Sequence, residues 1–219
     1  MSLPALFSPQ YILSQLSDEV QAAVTPTYRA YLDEDVLEAN SIIQFASLAD
    51  WRAWPPMSAG RIVMLDIEPW SRTPTSEQDH AHATFRTFAT EAHAMGYLAI
   101  AAPALSLPRR LNCGSFDSTR EKRYLRCRFA SLGEDALLVQ SQSLARDPRA
   151  FARFLRQVKA QAPASCKVYG ELSTRGPDWT AAQLQAAYNA ANQYVDGWGL
   201  WTGNVSDYTP LNDFAEAII

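Results

Sequence analysis

Short apolar runs separated by stretches with helical spacing set the pattern of this chain. Six runs read as strands: Ser41–Ser47, Arg61–Glu68, Tyr97–Ala102, Ala136–Ser141, Cys166–Glu171 and Trp198–Thr202. Between them apolar residues recur three and four apart, as one buried helix face requires. Ala81, Phe85, Phe88, Ala92 and Met95 form one such face, and Phe151, Phe154, Leu155 and Val158 a second. Leu184, Ala187, Tyr188, Ala191 and Val195 form a third, and Ile12, Leu13, Leu16 and Val20 predict a helix before the first strand. Asp147-Pro148 marks a helix start, with a side-chain acceptor followed by a proline whose missing N–H costs nothing there. Thr180 to Gln183 and Ser118 to Glu121 fit capping boxes, and Gly96 fits a helix stop.

Strands alternating with helices predict an α/β fold with a mainly parallel sheet. A (β/α) TIM-barrel-like domain spanning 1–219 as a single unit is the expected architecture. A closed barrel of the common kind has eight strands. The two not visible here are short, hidden in Thr25–Ala39 or near the C-terminus, or absent; an open doubly wound sheet is the alternative. No repeat, low-complexity tract or linker divides the chain.

Composition narrows the classes. The chain has 219 residues, 47% of them hydrophobic, and a formal net charge of -4 with no basic block. Nucleic acid and anionic membranes, held mainly by clustered Lys and Arg, are disfavoured partners. No apolar run reaches the ~20 residues that span a bilayer, and Met1 to Leu13 does not read as a secretion signal. Cys113, Cys127 and Cys166 have neither metal-ligand spacing nor an even count, so reduced thiols in a cytoplasmic protein are expected. Without a glycine-rich phosphate loop or a nucleophile elbow, no cofactor is expected. His80 and His82 sit two apart, a spacing that does not face one ion from a helix; no metal ligands are assigned, and His93 reads as a surface or packing residue. Arg109 and Arg110 lie in the long connection after the third strand and read as solvated surface charge.

Ligands of parallel α/β folds bind at the carboxyl ends of the strands. Polar residues accumulate there: Asp66 and Glu68, Gln140 and Gln142, Tyr169 and Glu171, then Trp198, Trp201 and Asn204. Side chains two apart share a strand face. Val63, Leu65 and Ile67 then pack under helices while Met64, Asp66 and Glu68 turn inward. By the same alternation Val168, Gly170 and Leu172 face helices, and Tyr169 and Glu171 face in. Asp66 and Glu68, with Cα atoms roughly 6.5–7 Å apart, fall within the about 5–9.5 Å of glycosidase carboxylate pairs. Two adjacent carboxylates also push their pKa values apart, leaving one as an acid. Trp70, Trp198 and Trp201 are candidates to stack on sugar faces, whereas Trp51, Trp54 and Trp179 are expected only to pack.

Asp66-Ile-Glu68-Pro69-Trp70 resembles the Asp-x-Glu strand end of chitinase-like glycoside hydrolase barrels. The stretch Thr73 to Gln78 and Ala101-Ala-Pro103 also resembles uncharacterised bacterial barrel proteins. The resemblance implies Glu68 as general acid and Asp66 as the group that orients a substrate acetamido group. The aspartates that precede this motif in the family are missing, since Arg61 to Leu65 contains none. Three readings follow. The first is a glycosidase-like hydrolase with catalytic Glu68 and Asp66 and a pocket shaped by Trp70, Gln140, Gln142, Tyr169, Glu171, Trp198, Trp201 and Asn204. The second is a lyase or isomerase in which Asp66, Glu68 and Glu171 gather a divalent cation. The third is a non-catalytic carbohydrate-binding barrel. Each takes a small-molecule or carbohydrate ligand, and none fixes an oligomeric state.

Overall fold

The computed structural model describes residues 42–54, 56, 62–111, 113, 119–174, 179–201, 210, 213 and 214. The expected helix over Ile12–Val20, the Thr25–Ala39 region and Asn204 lie outside the described residues. All six expected strands are present, with ends moved by a few residues. They are β1 (Ile42–Phe45), β2 (Ile62–Ile67), β3 (Leu98–Pro103), β4 (Ala136–Val139), β5 (Lys167–Ser173) and β6 (Gly197–Trp201). The fold is α/β, with six parallel strands hydrogen-bonded in chain order, β1 through β6. A doubly wound sheet reverses its strand order at a switch point. No reversal occurs among the described strands, which separates their order from the doubly wound alternative.

The chain forms two compact units that interleave in sequence: Met1–Ile42, Ser141–Leu155 and Gly170–Ile219, and Ile43–Gln140 with Arg156–Tyr169. In the second, β1 leads to α1 (Leu48–Ala53), β2 to α2 (Thr75–Asp79) and α3 (Ala81–Ala94), and β3 to α4 (Arg120–Cys127). Every residue of β2 is buried, as a strand covered on both faces must be. Ala81, Phe85, Phe88 and Ala92 of α3 are buried as their spacing predicts, and α3 packs on β2 and β3. Met95 departs from that face and is 48% exposed, because α3 stops one residue before it. Gly96 ends the helix at φ 77°, donating to the His93 carbonyl while Tyr97 reaches back to Ala92. These two bonds are those of a Schellman motif, whose left-handed residue favours glycine.

In the first unit, Asp147 caps α5 (Pro148–Gln161) by accepting from the backbone N–H groups of Arg149 and Ala150. Thr180 and Gln183 complete the predicted capping box of α6 (Ala181–Ala191). The cap of α4 is Thr119, one residue later than the expected Ser118. Val195 lies beyond the end of α6, in extended backbone. Gly170 of β5 faces Leu155 of α5, as alternation predicts, and a Cβ there would stand 2.7 Å from Trp198 Cζ3. Gly170→Ala is therefore expected to cost about 1–3 kcal/mol by overpacking. A urea midpoint lowered at unchanged slope checks it; an unchanged midpoint would mean that Trp198 yields without strain.

The cysteines depart from expectation. Cys113 and Cys127 are joined by a disulfide, and only Cys166 is a free, buried thiol. An odd count and a separation of 14 residues gave no local reason to pair them; the approach of the loop after β3 to the end of α4 did. The expectation of reduced thiols is thereby corrected, and with it the chemical basis for a cytoplasmic assignment. Among the described residues no helix is long and apolar enough to cross a membrane.

Candidate active site

The second unit builds a site around Asp66. Parallel register sets Asp66 beside Ala102 of β3, and a single bridge beyond that strand pairs Ala104 with Gln140 just past β4. These registers bring Gln140 over the end of β2. Its Nε2 donates to Asp66 Oδ1 at 2.5 Å and to the Ala102 carbonyl at 3.0 Å. From the other side, Gln44 of β1 donates from Nε2 to Asp66 Oδ2 at 2.6 Å. Asp66 is 4% exposed. Gln44 is exposed and Gln140 half-buried, so the carboxyl lies directly beneath two amides that meet solvent.

Burial is the main force on this carboxyl, and the charge of Glu68 adds to it. Together they raise its pKa from 3.8 to about 7, against the Gln140 and Gln44 hydrogen bonds and the Arg72 charge, which favour the ionised form. The two amides differ in freedom. Both hydrogens of the Gln140 amide are used, one of them on a backbone carbonyl, so its orientation is fixed. Gln44 can turn its carbonyl toward a protonated Oδ2, which makes Oδ2 the place for the proton.

Glu68 follows the last residue of β2 and is half-buried. Its carbonyl accepts from the backbone N–H of Trp70 at 2.9 Å, which turns the chain sharply after the strand. The turn is fixed from within. Trp70 Nε1 donates to Thr73 Oγ1 at 2.7 Å, and Thr73 Oγ1 donates to the Ala46 carbonyl at 2.7 Å. Gln78 Nε2 donates to the carbonyls of Trp70 and Thr73. Arg72 lies over the Trp70 ring, 5.2 Å from its centroid, so a cation occupies one side of that indole.

Of the residues singled out from sequence, the structure thus gathers Asp66, Glu68, Gln140 and Trp70. Tyr169 is buried in the same unit. Gln142, Glu171 and Trp198 belong to the first unit. There Glu171 is buried within β5, and Gln142 opens a 3₁₀ turn with Oε1 buried and, among the described residues, lacking a hydrogen-bond partner. The Trp198 ring packs against Phe151 and Tyr188, with Nε1 donating to Asn192. Trp201 ends β6. Trp51 and Trp179 are buried as expected, but Trp54, expected only to pack, is 49% exposed. His80 and His82 have separate partners, the Ser76 and Cys127 carbonyls, and His93 binds Asp135 at the surface. Arg110 pairs with Asp79 on the surface.

Sequence reading missed Gln44. The signal was present, since Gln44 is the single polar residue in the run Ile42–Phe45. It also missed Thr73 and Gln78, whose bonds to backbone atoms leave no trace in a hydrophobicity pattern. No family model, curated protein or solved structure matches this chain.

Both Asp66 oxygens face N–H donors. A cation needs lone pairs directed at it, whereas donors on both oxygens suit a group that exchanges a proton. The arrangement is a buried carboxyl, its pKa raised to about 7, beside a more exposed one.

Proposed function

We propose that the Asp66–Glu68 pair is the acid–base centre of a glycosidase-like hydrolase on a (β/α) barrel-type fold, acting on a sugar-type substrate. The observation that carries this reading is the buried Asp66 carboxyl, held by Gln44 and Gln140 and raised to about 7 beside Glu68. Near neutrality such a pair shares a proton, since two adjacent negative charges in a poorly hydrated place repel. Glu68, the more exposed of the two, is the group placed to meet a ligand. It takes the shared proton from Asp66 and passes it to the glycosidic oxygen as the C–O bond breaks. As carboxylate it then takes a proton from the water that attacks the anomeric carbon, so the cycle closes with net hydrolysis. Asp66 acts through Glu68, holding proton or charge as Glu68 loses or regains its own, with Gln140 fixing its plane.

A panel of aryl glycosides tests the reading. Glu68→Gln, which keeps shape and removes the proton, is expected to lower kcat/KM on the best substrate by roughly 10²–10⁴-fold. Asp66→Asn is expected to displace the pH–rate profile. Full activity of Glu68→Gln would remove Glu68 as the acid. Sugar binding without turnover, unchanged in Glu68→Gln, would instead identify a carbohydrate-binding protein.

A further inference from the structure

The disulfide sits beside an imidazole. His82, in the first turn of α3, places a ring nitrogen within 4.8 Å of the Cys113 and Cys127 sulfurs, and the three ligand atoms all lie within that distance of one another. His82 Nε2 is 2.7 Å from the Cys127 carbonyl oxygen. That carbonyl closes α4, where Arg128 turns into the left-handed region at φ 53° and the helical ladder ends. A carbonyl can only accept, so Nε2 carries the hydrogen. The neutral ring is then the Nδ1 lone-pair tautomer, oriented by the kind of bond that orients metal-bound histidines. Phe129 packs against the ring at 5.2 Å between centroids and limits its rotation.

We propose that Cys113, Cys127 and His82 form a redox-gated zinc site: a crosslink when oxidised, and a two-thiolate, one-imidazole site for Zn²⁺ when reduced. A small-molecule dithiol supplies the electrons. It passes two electrons and two protons to the Cys113–Cys127 bond, giving two thiols, and itself becomes a disulfide. Zn²⁺ then displaces the two thiol protons and takes the sulfurs and the imidazole nitrogen as ligands, leaving a fourth position for water. Thiolate and imidazole are the donors that zinc prefers, and a site with three protein ligands keeps one position open. The half-buried Cys113 and His82 leave an approach from solvent.

The test uses the full chain, reduced with a phosphine and titrated with Zn²⁺ against a chromophoric chelator, with Co²⁺ as an optical reporter. The reduced chain is expected to take one equivalent of Zn²⁺, release protons, and show thiolate-to-cobalt absorption; the oxidised chain takes none at this position. His82→Gln keeps a donor for the Cys127 carbonyl and loses the nitrogen ligand, so at least ~10-fold weaker binding is expected. Equal Zn²⁺ uptake by reduced wild type and the Cys113→Ser/Cys127→Ser variant overturns the proposal, as does unchanged affinity in His82→Gln. Should the double variant fail to fold, alkylation of the reduced wild type decides. Zn²⁺ is expected to protect two thiols until a chelator is added, and absence of that protection overturns the site.

Discussion

At pH 8, Asp66→Asn is expected to be more stable than the native chain by about 4 kcal/mol, and at pH 4 to differ little from it. In the unfolded chain Asp66 ionises near its ordinary 3.8, whereas in the fold burial and Glu68 hold the proton until about 7. Below pH ~4 both states are protonated, and the contribution of the neutral carboxyl is fully present. As pH rises from there toward 7, the unfolded state releases the proton and the folded state keeps it. Stability therefore falls by up to about 1.4 kcal/mol per pH unit over that window, and levels off above it. Asparagine does not ionise, and its amide still accepts from Gln140 and can donate to a turned Gln44. The difference in denaturant midpoint between variant and native, followed from pH 4 to 8, checks the expectation. A difference that does not change with pH would show that Asp66 is not held neutral. Glu68→Gln removes the second cause of the shift, so the same window should narrow in that background.

Trp51→Ala is expected to cost about 3–5 kcal/mol, as truncation of a buried indole does. Trp51 is 3% exposed. Its ring makes edge-on contacts with Phe45 and Phe88 at 5.3 Å and with Tyr97 at 6.0 Å. These contacts tie α1 to β1, to α3 and to the start of β3. Trp51 Nε1 also donates to Glu91 Oε2 at 2.9 Å, and Arg52 holds the same carboxylate. The Arg52 hydrogen bond, then the Trp51 hydrogen bond and the Arg52 charge, keep the Glu91 pKa below its ordinary value against the opposing effect of burial. Trp51→Phe separates the two contributions. It keeps most of the ring contact and loses one bond to a charged group, so about 1.5–3 kcal/mol is expected. Trp51 also borders a surface pocket of about 230 Å³ beside Trp54 and Met95. Water entering from that pocket would hold the alanine variant nearer the lower figure. Thermal and urea unfolding of both variants measure this, and a loss below 1 kcal/mol for alanine would show that the cluster repacks.

The Asp66 site was half legible in the sequence. An apolar run that ends in Asp-Ile-Glu announces carboxylates at a strand end, and Gln140 closes another such run. What the sequence withheld was the meeting of the two. Gln140 reaches Asp66 because Ala104 and Gln140 pair beyond the regular end of β3, a register that no periodicity encodes. Gln44 was overlooked because one polar residue on a short strand is ordinarily a solvent-facing residue. Here it is exposed and still bonded to Asp66.

The disulfide and the indoles teach the same division. Trp51 lies in α1 and Trp54 follows its end three residues later, yet one is buried and the other half exposed, since Trp51 faces Phe88 and Tyr97. Cys113 and Cys127 are unremarkable in sequence and bonded in space.

By itself, then, the sequence determined the alternation of strands and helices, the caps at Asp147 and Thr180, the stop at Gly96 and the two carboxylates at the end of β2. These are local: each follows from side-chain period, from a hydrogen bond within one turn, or from a backbone angle that glycine tolerates. Only the tertiary structure decided which amides hold Asp66, how far its proton is retained, and which sulfurs meet beside His82. Those depend on strand register and on burial, which sum contributions from segments far apart in the chain.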